Sequence, residues 1–190
     1  FFATGCIDMR AAFASASPRS LAASALRRTA PLHTEARIKE LGLTLPAAGT
    51  PKANYTIACW ESPTRLYLSG HLPIKPDGSM ATGTVGGEGG LSLEEAQEAA
   101  KWCGLGLLAT IQDQLGGDLD RVEQVVKLFG IVASAPEFKQ QHLVLNGCSD
   151  VMMAVLGGKR GYHARSAIGT NTLPLDSPVE VEAIITVKPA

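Results

Sequence analysis

An α+β fold is what the patterning of this 190-residue chain predicts, and three stretches carry the prediction. In VEVEAIITV (179–187), a period of two places Val179, Val181, Ala183, Ile185 and Val187 on one face and Glu180, Glu182, Ile184 and Thr186 on the other, which marks a strand buried on one side. Ser92-Leu-Glu-Glu95 is a capping box, and the Leu93, Ala96, Ala100, Cys103, Leu107 and Ile111 that follow recur at steps of three or four, as in a helix lying on a core. VEQVVKLFGIVAS (122–134) is rich in β-branched residues and predicts a second long strand.

The remaining elements follow in order. TEARIKELGL (34–43) reads as a short helix with Thr34 as N-cap and Gly42 as stop, and LPAAGTPKAN (45–54) as a linker, so that the core begins near Asn54. YTIACWE and RLYLSG are β-type runs joined by Ser62-Pro63-Thr64, and LPIKPDGSM carries a Pro-Asp-Gly turn. TVGGEGG (84–90) has neither the dinucleotide fingerprint nor a phosphate-loop Lys, and reads as a flexible connection. The capped helix ends at Gly116-Gly117. A second helix is expected to start at Ser134 with Pro136 and run toward Leu156, where Gly157-Gly158 stops it, before HARSAI and VEVEAIITV complete the sheet.

Residues 1–33 are a different material. They hold Arg10, Arg19, Arg27 and Arg28 against a single acid, Asp8, among many Ala and Ser, the composition of a mitochondrial or plastid transit peptide. The expected location is mitochondrial, with a plastid address or a plain disordered extension in the cytoplasm as alternatives. The organisation is therefore 1–33 targeting, 34–53 helix and linker, and 54–190 the domain. Beyond residue 33 the chain has 13 basic and 17 acidic residues, a net charge of −4. With Lys159-Arg160 as its only dense basic spot, that composition disfavours nucleic acid, whose binding rests on clustered cations. No apolar run reaches the length of a membrane helix, so no membrane partner is expected. Cys6, Cys59, Cys103 and Cys148 are far apart, and the histidines lack metal-ligand spacing; reduced thiols, no metal and no cofactor are expected.

In HARSAIG (163–169), Arg165 stands among small apolar residues. A guanidinium keeps its proton, and burying it unpaired costs several kcal/mol, so an acidic partner is required. Two readings stand: pairing with Glu180 or Glu182 on the last strand, or pairing with a ligand carboxylate. The mixed Glu180/Glu182/Ile184/Thr186 face suits partial cover by a second copy of the chain.

LYLSGHLP (66–73), the helix after Ser92, VVKLFGIVAS, LNG (145–147), and HARSAIG followed by LP and VEVEAI together resemble the RidA (YjgF) family, also called endoribonuclease L-PSP, over about residues 54–187. The resemblance is to the branch with the ARSAIG motif and a longer N-terminus. It implies a chorismate-mutase-like fold, a mixed sheet with two helices packed on one face, assembled as a homotrimer with a small carboxylate or imino-acid ligand at the subunit interface. It further implies that Arg165 binds the carboxylate of a 2-imino acid and Glu180 holds or activates the hydrolytic water. Ser69 and Gly70 would shape the pocket, with Tyr55 and Asn146 at its remaining positions. Each has a plainer alternative: Glu180 as a counter-ion, Tyr55 as a packed strand residue, Asn146 as a partner for helix backbone. His71 stands where the family usually has Gln, either as a proton carrier or as a satisfied or solvated side chain. Ala167 replaces a frequent cysteine, and GTNT (169–172) alters the rim.

The function implied is an enamine/imine deaminase acting on reactive 2-imino acids. The alternative is a non-catalytic carboxylate-binding trimer. A ribonuclease or translation-inhibitor role, suggested by the older family name, fits the acidic domain poorly.

Overall fold

β-Alternation and helix capping decide the architecture of the computed structural model, which describes residues 33–189. The segment read as a transit peptide, apart from His33, lies outside the described residues. Strands β1 (Ala58–Ser62), β2 (Arg65–His71), β3 (Val122–Ala133), β4 (Ala164–Thr170) and β5 (Val179–Val187) form one sheet in the order β1-β2-β5-β3-β4. Only the β3–β4 pairing is parallel, so the sheet is mixed. The short β1–β2 and β2–β5 pairings are antiparallel, and β5, buried on alternate residues from Val179 to Val187, lies at the centre.

Helices α2 (Leu93–Gln114) and α4 (Asn146–Leu156) pack side by side on one face of the sheet. The capping box is formed: the Ser92 hydroxyl accepts from the Glu95 amide while the Glu95 carboxylate accepts from the Ser92 amide, an arrangement that stabilises a helix start by about 1 kcal/mol. Leu107 and Ile111 from α2, Leu128 from β3, Met152 from α4 and Ile185 from β5 are fully buried and interleave in the core between the layers. The two helices approach closely because α4 carries Gly147: a Cβ there would lie 1.9 Å from the Gln97 carbonyl oxygen. Only a residue without a side chain fits that crossing.

Four local expectations change. The helix expected from Ser134 begins only at Gln141, as a four-residue piece α3 (Gln141–Val144) ahead of α4. Ser134 and Ala135 remain extended because their amides donate to the carbonyls of Thr170 and Val85. Thr34 does not cap α1 (Thr34–Glu40). It is the helix's first residue, buried, and its hydroxyl donates to the carboxylate of Asp120, with His33 at the cap position. The core starts well upstream of Asn54, since Ile38 of α1 belongs to it and the Gly49 amide donates to Thr110 of α2. Finally, TVGGEGG is tethered rather than free: Val85 is fully buried, and its amide donates to Ala133 while its carbonyl accepts from Ala135. The glycines that follow it supply the left-handed turns at Gly86, Gly87 and Gly89.

Candidate active site

On the edge strand β4, a period of two directs Arg165, Ala167 and Gly169 to the helix side, because Arg165 is in register with Leu128 and Leu128 with Ala183, both buried against the helices. Asn146 and Ser149, one turn apart on α4, meet it there. The Arg165 Nη1 donates to Asn146 Oδ1 at 3.1 Å and to Ser149 Oγ at 2.9 Å, and Nη2 donates to the His142 carbonyl at 2.8 Å. All three acceptors are neutral. Three of the five guanidinium N–H groups are thereby used, and among the described residues the Nε–H and one Nη2–H, on adjacent nitrogens, have no acceptor. That is the pair of donors a carboxylate engages with its two oxygens.

Pairing of Arg165 with Glu180 or Glu182 is not what the chain does. β4 and β5 are separated by β3, and the two glutamates point to the opposite, open face, in register with Ile131 and Phe129. Across the sheet, two strand spacings amount to about 10 Å, and the side chains diverge from there. Arg165 and Glu180 therefore belong to separate half-sites in one copy.

The second half-site surrounds a bulge in β2, where Ser69 and Gly70 together face Glu182 between the Leu68–Ala183 and His71–Val181 pairs. Glu180 lies across Gly70: a Cβ on Gly70 would fall 1.7 Å from Glu180 Oε1. Burial and the neighbouring Glu182 charge raise the Glu180 carboxyl above its ordinary range. The Ser69 hydroxyl donates to the Thr56 carbonyl at 2.7 Å; Tyr55, the preceding residue, is exposed, and its hydroxyl accepts from the Lys52 amide. Ser69, Gly70 and Glu180 are thus gathered at one place and Arg165 with Asn146 at another, while Tyr55 joins the first only through its chain neighbour Thr56, whose carbonyl Ser69 holds.

His71 is a buried structural residue, not a proton carrier. Its Nδ1–H donates to the Ser69 carbonyl at 2.7 Å, and Nε2 accepts from the Thr110 hydroxyl at 2.8 Å, a tautomer that leaves neither nitrogen spare. Burial lowers its pKa below the usual histidine value, against the opposing hydrogen bond to Ser69. Near Arg165, Cys148 is fully buried and burial pushes its thiol up to about 12, so it supplies no thiolate.

Two residues of the Arg165 half-site escaped the sequence reading. Ser149 is buried between Arg165 and His163, with its Oγ 2.9 Å from His163 Nε2, and His163 Nδ1 donates to the Gly161 carbonyl at 2.7 Å. The signals existed: Asn146-x-x-Ser149 is an i, i+3 pair on a helix, and His163, just ahead of β4, stands two residues before Arg165, the spacing of same-face residues in extended chain.

A mixed sheet with two helices on one face, and an edge-strand arginine set beside the small residues of β4, define the class. Residues 46–187 match the family described as endoribonuclease L-PSP. The chain belongs to that family, the RidA/YjgF group. It is 42% identical over 151 residues to Protein TCP17 of Trypanosoma cruzi, a match covering 79% of this chain and 91% of that protein. The crystal structure of Atu1372 from Agrobacterium tumefaciens, a protein of unknown function, superposes with a TM-score of 0.73 at 42% identity, over 82% of this chain and 92% of that one. The YjgF gene product of Escherichia coli shares the fold, with a TM-score of 0.53 at 17% identity over 76% of this chain and 99% of that one. Among the described residues no helix is long and apolar enough to cross a membrane.

Proposed function

We propose that the protein is an enamine/imine deaminase that converts a 2-imino acid and water to a 2-keto acid and ammonia. The observation that carries this reading is the state of Arg165: a permanent cation held by three neutral acceptors, with two adjacent N–H donors left over among the described residues. Those donors bind the substrate carboxylate in two parallel hydrogen bonds and fix the plane of the neighbouring C=N carbon. Glu180 takes a proton from water as the water adds to that carbon and returns it to the leaving nitrogen; its raised pKa makes it a better base than an ordinary carboxylate. Tyr55, Ser69 and Gly70 line the water side and Asn146 the carboxylate side. Neither a cofactor nor a thiol is required.

Because Arg165 and Glu180 lie on opposite faces of one sheet, a ligand touching both needs two copies, and we read the assembly as the homotrimer the family resemblance implies. The open face supports it: Tyr67, Ile184, Phe129, Ile131 and Ile168 are apolar there and incompletely buried. We also propose that residues 1–33 direct mitochondrial import, which a reporter fusion tests.

The deciding experiment generates 2-iminobutanoate in place with a threonine dehydratase and follows keto-acid release, with sedimentation alongside. A trimer that accelerates release, and an Arg165→Lys variant slowed by about 10²- to 10⁴-fold in kcat/KM, is the expected outcome, since the charge persists while two oriented bonds of about 1.5–3 kcal/mol each are lost. Normal turnover by Arg165→Lys ends the carboxylate-anchor reading. A wild-type trimer that binds small carboxylates without hydrolysing imines is the non-catalytic alternative.

A further inference from the structure

Arg165 does not choose its own orientation. Its Nη1 donates to a serine hydroxyl that is itself engaged: Ser149 Oγ lies 2.9 Å from Arg165 Nη1 and 2.9 Å from His163 Nε2. The proton positions follow from the acceptors. His163 Nδ1 faces the Gly161 carbonyl at 2.7 Å, which can only accept, so Nδ1 carries the hydrogen. Nε2 of the neutral ring is then a lone pair, and the Ser149 O–H must point to it. With its hydrogen committed, Ser149 turns a lone pair toward Arg165. A serine free to rotate could present its hydrogen to the guanidinium instead and repel it.

We propose that Ser149 and His163 are positioning residues for carboxylate recognition, with His163 holding the Ser149 hydroxyl in the one rotamer that accepts from Arg165. This inference rests on the deaminase reading above and names what sets the geometry of that site. Three observations converge on it. Asn146 and Ser149, one helical turn apart, take both Nη1 hydrogens, and the His142 carbonyl takes one from Nη2, so the guanidinium plane is held at three points. The hydrogens left over are on Nε and Nη2, where a ligand would dock. Burial and the adjacent Arg165 charge lower the His163 pKa, opposed by its bond to Gly161, and this keeps the ring neutral near pH 7, as the arrangement requires.

A serine beside the Nε2 of a neutral, oriented histidine also has the outline of a nucleophile and its base. The burial decides against that role. Ser149 is only 6% exposed, inside the helix–sheet packing, and its hydroxyl is enclosed by the two side chains it bonds.

The test is a double-mutant cycle on the steady-state hydrolysis of 2-iminobutanoate, with melting temperature measured for each variant. Ser149→Ala and His163→Leu should each lower kcat/KM by about 10- to 100-fold, and the double variant should be no slower than Ser149→Ala, because His163 acts only through that hydroxyl. His163→Gln, whose side-chain oxygen can still accept from Ser149, should recover most of the activity that His163→Leu loses. A purely structural contribution would give additive losses that follow melting temperature, and no recovery by Gln. If wild type hydrolyses the imine and Ser149→Ala and His163→Leu match its kcat/KM, the inference falls while the deaminase reading survives. Should wild type be inert and Arg165→Lys bind carboxylates as well as wild type, the deaminase reading fails and takes the inference with it.

Discussion

Glu180 lies directly against Gly70: its carboxylate fills the volume where any side chain on residue 70 would begin, a Cβ there falling 1.7 Å from Oε1. Gly70 is therefore required by contact, not by backbone conformation, since its φ is not among the positive values. Gly70→Ala should displace the Glu180 carboxylate by an ångström or more and slow imine hydrolysis by about 10²-fold, as misplacement of a reacting group does. The fold should persist, because the strand pairing of β2 with β5 is unaffected on either side of the bulge. Unchanged kcat/KM in Gly70→Ala would remove Glu180 from the reaction.

Glu180 itself has a sign that can be checked. Its folded pKa is raised by burial and by Glu182, so the native state holds the proton more firmly than the unfolded chain does. Its contribution to stability is greatest below the ordinary carboxylate value and is lost as pH rises through the raised one. At pH 7 the charge is a burden on the fold, and Glu180→Gln should melt no lower than wild type while losing hydrolytic activity. A lower melting temperature would reinstate the ion-pair role that the strand order argues against.

His71 runs the opposite way for a base. Its lowered pKa means that the unfolded chain takes up a proton near 6.5 while the folded chain resists, so stability is fully present above about pH 6.5 and is lost as pH falls toward the native value. Thr110→Val removes the hydroxyl that accepts from Gly49 and donates to His71, and should cost about 1–3 kcal/mol for the groups left unpaired. Denaturant melts between pH 5 and 8 measure both effects. His163 is lowered too, so the comparison is made against a His71→Gln variant, whose pH slope should be shallower.

Gly147 tests the helix crossing that delivers Asn146 and Ser149. An added Cβ would meet the Gln97 oxygen at 1.9 Å, a backbone atom that cannot swing aside. Gly147→Ala should destabilise by about 1–3 kcal/mol or more and also loosen the Arg165 site, because α4 must shift away from α2. Denaturant melts and carboxylate binding, measured on the same preparation, should decline together.

Much of this molecule was legible before its fold. The capping box at Ser92, the alternation along β5 and the length of β3 are local patterns, and each specifies its element through neighbours within a few residues. Arg165 announced a need for partners because a guanidinium cannot shed its charge, and the spaced motifs from LYLSGHLP to VEVEAI carried the family. What only the tertiary structure decided is where separate elements meet. Period two tells which residues of one strand share a face, but strand order and register decide that Arg165 faces the helices and Glu180 the open side. The start of the second helix was likewise set from afar: Ser134 and Ala135 have acceptable helix-start chemistry, yet Thr170 and Val85 claim their amides. Ser149 and His163 became functional candidates for the same reason, since a buried serine and a histidine 14 residues apart acquire meaning only when α4 and β4 bring their polar atoms to hydrogen-bonding distance around one arginine.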